Sequence, residues 1–416
     1  MYILIFAANW FNRGDESAIR AMIDELKLAY PNSEFKIHFA SKEPEIMPYD
    51  NMEILPGFYK ARRRNVLKNA LYKISMHSFS KINIMPRIST RSKFENRQVL
   101  KKFVDAVKWC DLAIYAPGGP CIGELYKNYA LLDCIDIIRH FKKPYVFFAP
   151  SMGPFRRYKK RIANALKHAE VVCFREAISA GYVKSLVPEL DCHVTLDSAF
   201  QHPVDNVYYD RQFEAYVSLN KFLEKNDKVV GITITDLQWH SKYANESVKN
   251  TVTKSFKGFI SFLNCNGYAI VFIPQLFGEH TDRDYMASFA IGNCFVVDDL
   301  HDCYFQQYLI SKLYAVIGMR YHSNIFSAKM GTPFVSVAYE QKMAGFAEKV
   351  GLSEYCFSIN DLSEERLIEY FNKLEQNYYE YKNKLMSIKK WCQDESYKTT
   401  KYVKEIIENR GLYTEK

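Results

Sequence analysis

The segment VIGMRYHSNIFSAKMGTPFVSVAYEQK, residues 316–342, decides how this chain reads. An apolar run, Leu313, Tyr314, Ala315, Val316 and Ile317, has the length of a buried strand, and Gly318 ends it. Arg320 and His322 then fall where a helix should begin. Strand, glycine and helix start make the repeating step of an open α/β sheet, whose ligands bind at the carboxyl edge of the strands. The free N–H groups and positive end of the helix favour an anion there. Arginine offers a planar fork suited to carboxylate or phosphate, and histidine exchanges a proton near neutral pH. The pattern points to an anionic substrate undergoing proton transfer. The competing reading of His322 is a satisfied structural residue.

The same step recurs on both sides of this segment. Apolar runs predict strands over residues 2–8, 35–40, 112–115, 145–149 and 171–174, and one ending at Leu196. Helical spacing predicts helices over 15–30, 99–109, 125–141 and 159–168. A mixed polar connection, 201–227, follows. The alternation then restarts, with strands at 229–234, 269–273, 294–297 and 334–337 and helices at 248–263 and 323–329. A chain of 416 residues exceeds one ordinary core. The expected fold class is α/β, two Rossmann-like domains facing across a cleft. Residues 1–200 are the expected acceptor side, 201–380 the donor side, and 381–416 a helical segment.

Composition narrows the function classes. The ten cysteines are scattered, without a C-x-x-C pair or a grouping with histidine, and read as reduced core residues; no metal site is expected. The opening MYILIFAANW lacks a basic leader, and no apolar run approaches the roughly 20 residues that span a bilayer. A cytoplasmic protein is therefore expected. The net charge of +9 is concentrated: residues 60–102 hold thirteen basic residues against one acid, Glu95. Apolar Val66, Leu67, Ala70, Leu71 and Ile74 lie at helical spacing there, so peripheral contact with an anionic membrane at its inner face is one reading and a solvated surface helix the other. No nucleic-acid motif accompanies the charge, so nucleic acid is not an expected partner.

Several strand ends carry polar or glycine residues. Asn12-Arg13-Gly14-Asp15 opens a helix, with Asp15 expected at its N-cap; it is not the G-x-G-x-x-G of dinucleotide sites. Gly118 and Gly119 let a ligand approach the backbone, as does Gly153 in the next such turn. Arg175, Asp197 and Gln275 follow at further strand ends, and Tyr339 and Lys342 lie just beyond the strand at 334–337.

NRGDESAI from Asn12, APGGP from Ala116, SMGPF from Ser151, FREAIS from Phe174, LDSAF from Leu196 and the block from Ile317, taken in order, resemble the polysaccharide pyruvyl transferase family. Pro117 and Pro120 interrupt that family's glycine-rich motif, and Glu176 stands where it commonly has aspartate. The resemblance implies a GT-B-like fold and transfer from phosphoenolpyruvate to a sugar, possessed by an exopolysaccharide, a capsule or a lipid-linked precursor, to form a pyruvate ketal. It implies that Arg320, Arg175 and His322 act on the donor. The site then reads as follows: His322 as general acid and Asp15 orienting or deprotonating a sugar hydroxyl, or serving only as a cap. Arg320, Arg175, Asn12, Gly14, Gly118, Gly119, Gly153, Gln275, Tyr339 and Lys342 contact substrate. Phosphoenolpyruvate enters as donor substrate, and no cofactor is expected. The alternatives are a nucleotide-sugar glycosyltransferase of the same architecture and a non-catalytic sugar-binding scaffold.

Overall fold

A computed structural model describes residues 1–45, 47–57, 91–119, 122–278 and 281–413. Most of the basic segment 60–102 lies outside the described residues, side chains 91–97 included. The chain divides into two compact units. The first comprises Met1–Trp10, Ala18–Ser198 and Ser396–Lys416; the second comprises Phe11–Ser17 and Ala199–Glu395.

The first unit holds a seven-stranded parallel sheet of β1 (Tyr2–Ala8), β2 (Glu34–Phe39), β3 (Met52–Leu55), β4 (Leu112–Tyr115), β5 (Tyr145–Phe147), β6 (Val171–Phe174) and β7 (His193–Val194). Its order is β3-β2-β1-β4-β5-β6-β7. Continuous apolar strands are what a sheet covered on both faces requires. Successive residues of each strand accordingly enter different cores. Leu4, Phe6, Ala113, Tyr115 and Phe147 pack with Phe103 and Ile135 on one face. Ile3, Ile5, Leu112, Ile114 and Val146 pack with Ile19, Met22, Ile23 and Leu26 on the other. Val403 and Ile407, from the helix Tyr378–Asn409, complete this second layer.

The second unit has a six-stranded parallel sheet of β8 (Val229–Thr233), β9 (Ala269–Phe272), β10 (Cys294–Val296), β11 (Ala315–Gly318), β12 (Phe334–Ala338) and β13 (Cys356–Ser358), in the order β10-β9-β8-β11-β12-β13. Chain order reverses between β1 and β4 in one sheet and between β8 and β11 in the other. Connections leave such a point in opposite directions, opening a crevice at the carboxyl ends of the strands.

The structure departs from the sequence reading in four places. The helix expected over 125–141 starts only at Leu131. Residues before it are tied back, Gly153 N–H to Ile122 O at 2.9 Å and Glu124 N–H to Pro154 O at 3.0 Å, with Gly123 at φ +155°. The connection 201–227 contains two helices, Asn206–Ala215 and Val217–Glu224, anchored by buried Tyr209, Phe213 and Leu219. Short edge strands β3 and β13 were not expected. The last helix is not a segment apart, because Tyr378–Glu395 group with the second unit and residues from Ser396 with the first. Among the described residues no helix is long and apolar enough to cross a membrane.

His38, on β2, is fully buried, and that burial lowers its pKa to about 3, against a weaker opposing pull from Glu43. Unfolding restores an ordinary value near 6.5. Its neutral form therefore supports the fold fully above pH 6.5, and that support is lost as pH falls from 6.5 toward 3. Acidification from pH 7.5 to 5 should cost roughly 2 kcal/mol through this residue. Chemical denaturation at both pH values should show a smaller loss in His38→Gln; an equal loss would assign the acid sensitivity to other groups.

Candidate functional site

The carboxyl edge of the second sheet gathers side chains from four strand ends. Gly318 closes β11, and a Cβ there would lie 2.4 Å from Ser323 Oγ and 2.6 Å from Thr233 Oγ1, so the turn into the next helix closes only on glycine. Arg320 occupies the N-cap position of the helix Tyr321–Met330 with extended backbone, and His322 lies in the first turn. Every residue from Tyr321 to Lys329 is buried, so the polar ones need partners. Asn324 Nδ2 donates to Ser336 Oγ at 2.7 Å, and buried Lys329 donates to the carbonyls of Ala199 and His202 at 2.7 and 2.6 Å.

The Arg320 guanidinium is gripped by Asp282. Nε donates to Asp282 Oδ2 at 3.0 Å, Nη2 donates to Oδ1, and Nη2 also reaches Thr235 Oγ1 at 3.2 Å. Asp282 Oδ2 further accepts the main-chain N–H groups of Gln275 and Leu276, at 3.3 and 3.0 Å. Burial works against the arginine's charge, but Asp282, with Tyr339, outweighs it and holds the guanidinium more firmly protonated than usual. Trp239 lies 5.3 Å from the guanidinium carbon. Tyr339 is a further hydrogen-bond partner of the guanidinium. Gln275 is buried as well, and its Nε2 meets no hydrogen-bond acceptor among the described residues.

Tyr339, at the end of β12, is buried, which pushes its hydroxyl up to about 12 against the opposing pull of Arg320 and Lys342. It is thus a neutral O–H donor near pH 7. Lys342 Nζ stands 2.6 Å from Glu340 Oε2, while Glu340 Oε1 lies 3.4 Å from His240 Nε2. The N–H of Lys242 donates to His240 Nδ1 at 3.2 Å. Nε2, the other ring nitrogen, is the one that faces Glu340.

The stretch after β1 joins the same unit. Asn12 bridges to Leu276 in antiparallel fashion, and Arg13 N–H donates to Gln275 O at 2.8 Å. Asn12 caps the following helix, since its carbonyl accepts Glu16 N–H at 2.9 Å and its Oδ1 accepts Gly14 N–H at 2.9 Å. This corrects the expectation for Asp15, which lies inside the first turn of the helix Arg13–Ala29, buried, two residues past the helix start. Gly14 is in direct contact with the catalytic candidate: a Cβ on it would lie 1.9 Å from Nδ1 and 2.1 Å from Cγ of His322.

The remaining candidates belong to the first unit. Arg175 is buried and bound to Asp197 Oδ2 and Ser151 Oγ, each at 2.8 Å. Ser151 donates to Glu176 Oε2 at 3.1 Å, and Ser179 donates to the other Glu176 oxygen. Gly118 and Gly153 have φ of +83° and +88°; Gly118 bridges to Pro150, whereas a Cβ on Gly153 would strike Tyr182 at 2.5 Å. Gly119, half-buried, follows Gly118 in the same turn. Among the described residues no group of His, Cys, Asp and Glu could hold a metal ion.

Sequence reasoning missed Asp282, Thr235, Trp239, His240 and Glu340. Thr281 caps the helix Asp282–Ala287, its Oγ1 accepting Arg283 N–H. That cap signature after Pro274-Gln275 was the available signal for Asp282. Glu340, at the N-cap of the helix Gln341–Lys349, is a strand-end carboxylate of the kind sought elsewhere.

The family model described as polysaccharide pyruvyl transferase matches residues 12–341. The amylovoran biosynthesis protein AmsJ of Erwinia amylovora is 25% identical over 396 residues, covering 89% of this chain and 90% of that protein. Among solved structures, a putative UDP-N-acetylglucosamine 2-epimerase from Listeria monocytogenes matches with a TM-score of 0.60 at 10% identity, covering 99% of this chain and 97% of its own. The UDP-GlcNAc 2-epimerase of Neisseria meningitidis bound to UDP-GlcNAc gives 0.58 at 11%, covering 97% and 100%. These structures show the fold alone, two Rossmann-like domains of GT-B type.

Gly14→Ala should force the His322 ring or the helix start to move and cost about 1–3 kcal/mol. At Gly181, inside the helix Ala177–Leu186, a Cβ meets nothing within 4 Å. Gly181→Ala should instead gain about 0.5–1 kcal/mol. Denaturant titration of both variants checks the contrast.

Proposed function

The chain belongs to the polysaccharide pyruvyl transferase family, and from that premise we propose that it moves the pyruvyl group of phosphoenolpyruvate onto two hydroxyls of one sugar. The acceptor is a polysaccharide or its lipid-linked precursor, and phosphate is released as a pyruvate ketal forms. The observation that carries this reading is the Arg320 fork, fixed by Asp282 beside a helix start that bears His322.

In this scheme the donor's anionic groups meet Arg320, Lys342, the Tyr339 hydroxyl and Gln275 Nε2. His322, as imidazolium, gives a proton to the methylene carbon, which becomes a methyl group; the carbon bearing the phosphate becomes an oxocarbenium-like centre. One sugar hydroxyl attacks that centre. The C–O bond to phosphate breaks, and a second hydroxyl closes the ketal. Of the two hydroxyl protons, one restores His322 and the other leaves with phosphate. Asp15, buried in the helix turn next to Gly14, is assigned to orient or deprotonate the attacking hydroxyl. Arg175, expected on the donor, has its guanidinium tied to Asp197 and Ser151 and in this scheme supports the strand-end loops of the first unit, where Gly118, Gly119 and Gly153 offer backbone to the acceptor. No cofactor enters the scheme. In the same scheme the basic residues of 60–102 contact anionic membrane and bring this cytoplasmic protein to a lipid-linked acceptor at the inner membrane face.

A ligand that binds only the folded state stabilises it by about 2.7 kcal/mol at a hundredfold excess over Kd. Phosphoenolpyruvate should produce such a shift in wild type and lose it in Arg320→Ala. His322→Ala should retain the shift while turnover falls at least about a hundredfold. Thermal shift and calorimetry, with nucleotide sugars as the comparison panel, read both. Stabilisation by a nucleotide sugar alone would move the chain to the glycosyltransferases.

A further inference from the structure

Three cations at this strand edge already stand against carboxylates. Arg320 is bound to Asp282, Lys342 Nζ lies 2.6 Å from Glu340 Oε2, and Arg13 Nη1 donates to Glu16 Oε2 at 2.6 Å. His240 Nε2 faces the second oxygen of Glu340, at 3.4 Å. The hydroxyl of Tyr339 feels all four charges of the first two pairs, Arg320, Glu340, Lys342 and Asp282. An anion entering here meets oriented donors, and these three ion pairs contribute no net positive charge.

That arrangement is poor for capturing an anion as such. Net charge attracts anions over long distances whatever their shape, whereas hydrogen bonds act at short range and only in the right direction. We propose that Glu340 and Asp282 are specificity-determining residues. By cancelling the charge of Lys342 and Arg320 they deny binding to simple anions such as inorganic phosphate. They leave the site to a donor whose carboxylate and phosphoryl oxygens, at fixed spacing, engage Arg320, Lys342, the Tyr339 hydroxyl and Gln275 Nε2 together. Discrimination between ligands of the same sign requires such a repulsive element beside the attractive ones. The inference rests on the reading of the site as one for phosphoenolpyruvate, and it adds a consequence for turnover. Phosphate is the product, and a charge-cancelled site lets it go.

The test is calorimetric titration of inorganic phosphate, and separately of phosphoenolpyruvate, into full-length wild type, Glu340→Gln and Asp282→Asn in a phosphate-free buffer, each protein first shown to unfold cooperatively. Glu340→Gln keeps the shape of the side chain and removes its charge. It should bind inorganic phosphate about tenfold more tightly than wild type, because one buried opposing charge has gone. Its preference for phosphoenolpyruvate over phosphate should shrink by the same factor. Asp282→Asn should change in the same direction, and it keeps the idea testable should Glu340→Gln not fold. A supporting role in the fold alone would leave phosphate binding unchanged or weaken it, and that result in both variants overturns the proposal. If wild type ignores phosphoenolpyruvate while Glu340→Gln gains phosphate affinity, the donor assignment falls and the charge-cancelling role stands.

Discussion

The second unit's strand edge depends on the carboxylate of Asp282. An ionised group taken out of water loses several kcal/mol of hydration, recovered only where its oxygens are fully hydrogen-bonded and paired. Asp282 meets that condition through two main-chain N–H groups and two nitrogens of one guanidinium. Four segments thereby converge: residues 275–276 after β9, the helix that Asp282 begins, Arg320 after β11 and, through Thr235, the stretch after β8. Loops that carry function are ordinarily the most variable part of an α/β protein. Here the shared carboxylate makes them one rigid body, because deleting either partner would leave the other buried and unpaired, at a cost of about 3–5 kcal/mol.

The first unit uses the same device with a different emphasis. Arg175 follows β6 and is clamped by Asp197, beyond β7, while Ser151, Glu176 and Ser179 extend the network to the turn after β5. Both units thus place an arginine after a strand and tie it to a carboxylate from another strand end. The surroundings separate them. Arg175 is enclosed by hydroxyls and carboxylates, whereas Arg320, beyond Asp282 and Thr235, meets the phenol of Tyr339 and has an indole and an imidazole close by.

The fold was legible because its signals are local. Continuous apolar strands such as residues 2–8, separated by helical spacing such as Ile19, Met22, Ile23 and Leu26, leave few architectures other than covered parallel sheets. Arg320 and His322 were legible for the same reason, as residues at a strand-to-helix junction. Pairings were not. Asp282 lies 38 residues from Arg320, with nothing periodic between them. Glu340 reads as an ordinary cap in AYEQK until Lys342 and His240 are seen against it. Asp15 misled because acids favour both the N-cap and the first turn, and Asn12 took the cap. The helix drawn from 125 failed because hydrogen bonds to the 153–154 turn, invisible to local propensity, hold residues 122–124 in another conformation.

Gly14 shows why two short motifs some three hundred residues apart belong to one machine. An imidazole that acts on a ligand needs a fixed direction, since small misplacements of a reacting group cost large factors in rate. The His322 ring is bounded by the rings of Tyr321 and Phe326, at 4.9 and 6.1 Å between centroids, and by the bare Cα of Gly14. Backbone makes a firmer wall than a side chain, because it has no rotamers and is held here by the Asn12 cap and the bond from Arg13 to Gln275. Glycine at position 14 is thus required by the histidine it touches. The NRGD turn is the surface against which the His322 ring is aligned.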